Sequence, residues 1–475
     1  TDAGANKYGP RQNMNILAPA YRRYAEEAIR ALVARTAPRP GVVGFQLDNE
    51  TKYYDAANAD IQRAFVDSLK ERRRARRRDP GSAVRHRRRA VRPRRPGLSY
   101  WANRINAWED FPDVTGTING SLAAAFDAFR RGLVTEFLAW QRAIVDDYRR
   151  EDQFVTQNFD YEWRGHSFGV QGAVDHFKAA DAVTLAGVDI YHPGEDRLTG
   201  HEIGFGGDVS RSLKGGAPYL VVETQAQGQM GWLPYPGQLR LQAYSHLASG
   251  AMGVMYWHWG SLHNSFETYW KGLLSQDYSP NPTYREAADF GREIAEHADA
   301  LTGLTKRNRI AVMISNEALT ALEWFGLESG FPRRYSGGGA NYNDVFRWVY
   351  DALFDLNIEV DILPADAGAE RPLDPVRPPV DPAQQRETAH APELLEHPRR
   401  ERPVERVERG TALERGQGGE HRRVGGRLED EREDDEDQRA DHARPRRETP
   451  PAAPHGNEDD GQGERGQSGR PHADQ

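Results

Sequence analysis

The chain has no cysteine among its 475 residues. That excludes disulfides, thiol catalysis and any zinc site built on thiolates. No run approaches the 18 or so consecutive apolar residues of a membrane span. Position 1 is threonine, not methionine, and no charged-then-apolar leader pattern follows. The first residues already read as the inside of a domain, so we expect the true N-terminus to be missing; a cytoplasmic location is expected with export left open. From about residue 370 to 475 there is no Phe, Trp, Tyr, Ile, Met or Lys. Such a stretch cannot offset its ordering entropy by burial, and we expect a disordered, low-complexity tail. The mean hydropathy of −0.80 fits a chain only part of which folds.

What is present reads as an enzyme. The ten tryptophans and 10% aromatics suit a large globular domain, and the net charge of −8 argues against general nucleic-acid affinity. Pro19 opens a helix with Tyr21, Tyr24, Ala25, Ala28, Ile29, Leu32 and Val33 at 3/4 spacing. Pro38-Arg39-Pro40 ends it, and Gly41-Val42-Val43-Gly44-Phe45-Gln46-Leu47-Asp48-Asn49-Glu50 follows as a short buried strand with a polar, acidic tip. The same rhythm recurs: Phe154–Asn158 ends in amides, Gly187–Pro193 exits through Tyr191 and His192, Tyr219–Glu223 ends in a carboxylate, and Gly253–Trp259 has an aromatic tip. Helices are expected at 57–71, 121–148, 173–180 and 238–247. Five strand–helix units with chemistry at their C-terminal ends describe part of a (β/α)8 barrel over residues 1–304, and three further strands belong upstream. Residues 305–369 begin a second α/β domain of doubly wound type, with strands at 309–315 and 359–363 and a helix at 342–356.

One segment does not fit. Residues 72–95 hold 13 Arg in 24 positions and no aromatic. A solvated basic loop and a nucleic-acid patch are two readings of it; a stretch of 72–96 translated out of frame fits better, as it does for the tail. Glu50 and Glu223, far apart in sequence, can meet across a barrel mouth. Retaining glycoside hydrolysis needs a carboxylic acid to protonate the leaving oxygen and a second carboxylate ~5–5.5 Å away to attack the anomeric carbon. Strand-end aromatics offer sugar-stacking platforms. Tyr191 and His192 read equally well as strand-end packing, His246 as a surface or core histidine, Trp101 and Trp140 as core, and Asp48 as a hydrogen-bond partner orienting Asn49.

Gly44-Phe45-Gln46-Leu47-Asp48-Asn49-Glu50 resembles the acid/base motif of family 42 β-galactosidases. Val221-Val222-Glu223-Thr224-Gln225 with Gly231-Trp232 resembles their nucleophile segment, and Tyr256–Trp259 with His263–Gly272 resembles strand eight and its loop in bifidobacterial-type members. The resemblance covers roughly residues 5–71 and 97–368. It implies a retaining exo-β-galactosidase acting on β-galactoside oligosaccharides without a cofactor or metal. Glu50 would be the general acid/base and Glu223 the nucleophile. Asn49 would bind the sugar 2-hydroxyl, Trp232 would wall the galactose subsite, and Glu267, Arg11 and Tyr191 would contact substrate. Trp270 stands where many members have a histidine. The domain from Lys306 resembles the family's trimerisation domain, so a homotrimer is implied for an intact homologue, with no nucleic-acid or membrane partner. The alternatives are another retaining barrel specificity (β-glucosidase or α-L-arabinopyranosidase) and a non-catalytic, frameshifted fragment.

Overall fold

A computed structural model describes residues 14–54, 56–78, 98–101, 103–228, 233–301, 303–306, 308–324 and 341–366. All of them lie in the first of two units into which the chain divides, Thr1–Thr388 and Ala389–Gln475. Most of the expected aberrant insert, from 79 to 96, and the expected tail from 370 fall outside the described residues. So do Arg11 and Trp232.

In chain order the elements are α1 (Pro19–Thr36), β1 (Gly44–Asn49), α2 (Ala59–Arg78), β2 (Leu98–Tyr100), β3 (Asn103–Ile105), α3 (Gly120–Asp146), β4 (Phe154–Phe159), β5 (Glu162–Trp163), β6 (Ser167–Gly169), α4 (His176–Ala179) and β7 (Gly187–Asp189). There follow α5 (His201–Leu213), β8 (Tyr219–Gln225), α6 (Gln238–Ala248), β9 (Ala251–Trp257), α7 (Pro282–Leu301), β10 (Ile310–Ile314), α8 (Asn316–Trp324), α9 (Tyr342–Asp355) and β11 (Val360–Pro364). Local chemistry sets several boundaries. Pro19 sits in the first turn of α1, where its missing N–H costs nothing. Asn119 caps α3 by accepting the Leu122 N–H at 3.0 Å. Asn341 and Asp344 form a reciprocal capping box on α9. The second helix runs on to Arg78, past the expected end at Glu71. Arginine is a good helix former, so the composition that cannot supply a buried face still continues a helix.

Five strands form one parallel sheet in the order β1-β4-β7-β8-β9, the order of the chain. Each helix returns the chain so that the next strand adds alongside the last, which is how a (β/α)8 wall is built. The inner strands are covered on both faces: Val155, Val188, Tyr219 and Val221 are fully buried.

α5, which the sequence pattern did not announce, carries Gly204, Gly206 and Gly207. A Cβ on Gly204 would come 2.5 Å from the Phe354 ring, on Gly206 2.8 Å from Ile190, and on Gly207 2.5 Å from Ser249. The glycines let α5 press against β7, α6 and α9 at once. β10 and β11 pair in parallel, with α8 and α9 beside them. Their Ile314, Phe346, Tyr350, Val360 and Ile362 share one hydrophobic cluster with Val188, Phe205 and Val209 of the barrel wall. Buried Arg211 ties the two parts, donating to Asp208 and Asp361, each at 2.7 Å. Tyr350 O–H donates to the other Asp208 oxygen at 2.7 Å.

Candidate active site

The C-terminal ends of the five parallel strands are irregular, and the irregularity does the aiming. The β1–β4 register shifts between Gln46 and Asn49, the β7–β8 register between Val188 and Asp189, and the β8–β9 register between Val221 and Thr224. Bulges of this kind redirect side chains at sheet ends. After the shifts Asn49 stands opposite Asn158, and Asp189 opposite Glu223. Glu50 then leaves the strand in the left-handed region, at φ 43°. Both of its backbone polar groups are pinned: its N–H donates to Asn158 Oδ1 at 2.9 Å, and its carbonyl accepts from Tyr54 O–H at 2.7 Å.

These turns bring three carboxylates together. One oxygen from each of Glu50, Asp189 and Glu223 lies within 4.8 Å of the others. They are also the one group among the described residues whose acidic or histidine donors come close enough to share a cation. Asn158, fully buried at the end of β4, is the hub. Its Nδ2 faces three acceptors: Asp189 Oδ2 at 2.9 Å, Asn49 Oδ1 at 3.0 Å and Glu223 Oε1 at 3.2 Å. Its Oδ1 accepts from Gln46 Nε2 at 3.1 Å and Gln157 Nε2 at 3.2 Å, as well as from Glu50 N–H. Tyr191 O–H donates to Glu223 Oε2 at 3.0 Å, so both oxygens of Glu223 accept a hydrogen bond.

Burial and like charge set the electrostatics. Burial, and then the charges of Glu223, Glu50 and Asp160, push the Asp189 carboxyl well above the ordinary carboxylate range. Burial and the Glu223 charge likewise hold the Tyr191 phenol far above its usual value. Burial raises Asp160 too, against the pull of its partner Lys52. Behind the site, Gln225 Oε1 accepts the His192 N–H at 3.2 Å, and Gln225 Nε2 meets His192 Nδ1 at 2.8 Å, fastening the end of β7 to β8.

Of the residues expected at the site, Asn49, Glu50, Tyr191 and Glu223 stand together. Glu267 lies on the loop between β9 and α7, half-buried, with its charge facing His258. The Asp48 carboxyl accepts from the Asn49 backbone N–H and, through Oδ2, from Thr51 O–H at 2.9 Å, while Asn158 Nδ2 donates to Asn49 Oδ1. His246 is a core histidine with no exposure. Asp189 was not anticipated. Its signal was a lone acid inside an otherwise apolar strand, a position that burial penalises unless it serves something. Asn158 was visible only as a strand-end amide.

The family model for glycoside hydrolase family 42, described as beta-galactosidase, matches residues 1–297. Beta-galactosidase BgaH of Haloferax lucentense is 27% identical over 78% of this chain and 54% of its own length. Beta-galactosidase BgaA of Planococcus sp. is 24% identical over 75% of this chain and 50% of its own length. The chain thus spans about half the length of these curated relatives. The crystal structure of a beta-galactosidase from Bacillus circulans sp. alkalophilus superposes with a TM-score of 0.62 at 22% identity, over 77% of this chain and 51% of that one. That likeness concerns the fold. The chain belongs to glycoside hydrolase family 42.

Proposed function

We propose that this member of glycoside hydrolase family 42 is a retaining exo-β-galactosidase, releasing terminal non-reducing β-D-galactose by double displacement. Glu50 acts as general acid/base and Glu223 as nucleophile. The observation that carries the reading is the carboxylate pair. Oxygens of Glu50 and Glu223 lie within 4.8 Å of each other. Inversion needs about 6.5–9.5 Å between the carboxyl groups to admit a water, whereas retention works at about 5–5.5 Å.

In the first step protonated Glu50 gives its proton to the glycosidic oxygen while Glu223 attacks the anomeric carbon, and the aglycone departs. In the second, Glu50 takes a proton from water, which displaces galactose from Glu223 with a second inversion. Tyr191 and Asn158 hold the two oxygens of Glu223, at 3.0 and 3.2 Å, and so fix the line of attack. Asn49, its carbonyl turned to Asn158, offers its amide NH2 to the sugar 2-hydroxyl. Glu267 serves as a further hydroxyl contact, and Arg11 and Trp232 complete the sugar site. Cytoplasmic location and homotrimeric assembly of an intact homologue belong to the same proposal. The relatives' printed activity supports the choice of β-galactoside as substrate class.

The test is hydrolysis of nitrophenyl β-D-galactoside by the purified chain, with the product anomer followed by proton NMR. β-Galactose should appear first, and Glu223→Ala should lower the rate by ~10⁴-fold or more. An unchanged rate in that variant, or α-galactose as the first product, would overturn the assignment. A panel including the β-glucoside and α-L-arabinopyranoside fixes the specificity.

A further inference from the structure

We propose that Asp189 is a positioning residue of this site, a third carboxyl that stands protonated beside the two reacting carboxylates and, through Asn158, fixes their separation. The proposal rests on the assignment of Glu50 and Glu223 above.

The argument begins with what surrounds the side chain. Asp189 is 1% exposed at the end of β7. Its Oδ2 accepts from Asn158 Nδ2 at 2.9 Å. Its Oδ1 is enclosed without a hydrogen-bond partner among the described residues. No lysine, arginine or histidine among the described residues pairs with it. The titratable groups that face it are Glu50 just after β1, Asp160 just after β4, Glu223 from β8, and the phenols Tyr161 and Tyr191. Lys52 pairs with Asp160, one of those acids. A buried carboxylate with no cation, within 4.8 Å of two others, is stabilised by taking up a proton. The proton belongs on Oδ1, since Oδ2 is occupied as an acceptor. The cluster then gains one O–H donor and loses one negative charge.

The positioning role follows from the hydrogen bond at the other oxygen. Asn158 Nδ2 is shared between Asp189, Asn49 and Glu223. Asp189 is the most deeply placed of the three acceptors and the shortest of the three contacts. It anchors the amide that spaces Glu223 from the end of β1. Mechanistically, a neutral third carboxyl adds no charge to the site, so that Glu50 and Glu223 between them hold the single proton and single negative charge that double displacement requires.

The experiment compares Asp189→Asn with Asp189→Leu in the full chain. Asparagine is neutral and keeps both an acceptor for Asn158 and a donor in place of the O–H. Leucine of similar volume keeps neither. The expected result is that D189N retains kcat/KM for nitrophenyl β-D-galactoside to within a few fold, with an unshifted pH profile, while D189L loses roughly 10²-fold, mostly in kcat. An activity-independent arm uses infrared difference spectroscopy at neutral pH. The band of a protonated, dehydrated carboxyl should be present in the parent chain and diminished in D189N. If D189N falls as far as D189L, or its pH profile moves, Asp189 acts as a charge and the proposal fails. It fails equally if the carboxyl band is the same in parent and D189N. Should Glu223→Gln keep the full rate, the two-carboxylate reading is what fails, and the infrared arm still decides the state of Asp189.

Discussion

Replacing Asn158 by aspartate tests how the reacting groups are held. The change is nearly isosteric, but it converts the Nδ2 donor into an oxygen. That oxygen would face Asp189 Oδ2, Asn49 Oδ1 and Glu223 Oε1 at 2.9, 3.0 and 3.2 Å, three acceptors with no donor between them. Two unit charges about 3 Å apart repel by about 5.5 kcal/mol at an effective dielectric of about 20. The site can escape by protonating the new carboxyl. Each pKa unit of forced protonation costs about 1.4 kcal/mol, so holding a carboxyl of ordinary pKa ~3.9 protonated at pH 8 costs about 5.6 kcal/mol, as much as the repulsion it relieves. Asn158→Ala, by contrast, removes donors without adding charge. It forfeits a hydrogen bond to the charged Glu223 worth about 1.5–3 kcal/mol, or about 10- to 100-fold in rate, besides those to Asp189 and Asn49. The isosteric variant should therefore be the worse of the two at pH 8, and should recover towards the alanine variant as acid supplies the missing proton. The assay is kcat/KM for nitrophenyl β-D-galactoside from pH 5 to 8, with a thermal melt at each pH. An aspartate variant as active as the parent at pH 8, or one less impaired than the alanine variant there, would refute the hub as described.

Two further outcomes concern stability. Gly207→Ala puts a Cβ 2.5 Å from Ser249 and 2.7 Å from the Tyr219 hydroxyl, and should cost about 1–3 kcal/mol. Gly132→Ala, exposed in α3 with nothing within 4 Å, should stabilise by about 0.5–1 kcal/mol; denaturant midpoints that rank the two the other way would sink the packing argument. Burial holds His176 and His192 down to about 4, from 6.5. The folded state thus keeps them neutral while the unfolded chain binds protons below pH 6.5, so their contribution is complete above that pH and is lost as pH falls through about 4. The loss approaches about 3 kcal/mol for each. Asp189, raised in the fold, works in the opposite sense, its cost growing as pH rises above the unfolded carboxylate value. Denaturant melts from pH 7 to 4.5 should fall steeply in the parent and less so in His176→Gln; equal slopes would show the histidine term to be absent.

Much of the wall was legible in the sequence because its signals are local. An apolar run such as Val42–Leu47 or Tyr219–Val222 bounded by glycine or a polar tip announces a strand, and the strands found there match those runs within three residues at each end. Carboxylates placed just after such runs, Glu50 and Glu223, stood out for the same reason. The helix α5 was not legible because Gly204, Gly206 and Gly207 look like a turn. Their reason lies in Phe354, Ile190 and Ser249, residues that sequence distance hides. Asp189 was hidden by its own strand, where one acid between Val188 and Ile190 looks like ordinary alternation. Its partners Asn158 and Glu223 become visible only once β4, β7 and β8 are set in register.

The pairing of Asn49 with Glu50 poses a problem that a regular strand cannot solve. Successive side chains on a strand point to opposite faces, so two neighbours cannot both serve one site. Here they do: Asn49 Oδ1 reaches Asn158 Nδ2, and the next residue's carboxylate lies within 4.8 Å of Glu223. The left-handed turn at Glu50 resolves the conflict by rotating its side chain back to the face that Asn49 already occupies. Such a conformation is unfavourable for a residue with a Cβ, by roughly 1–2 kcal/mol, and persists only where its surroundings over-determine it. The surroundings are the amide side chains themselves: Asn158 receives the Glu50 N–H, and Gln157 receives the Asp48 N–H at 2.9 Å. The Asn-Glu pair and the Gln-Asn pair of β4 are thus one device, in which the second pair supplies the hydrogen bonds that keep the first pair bent.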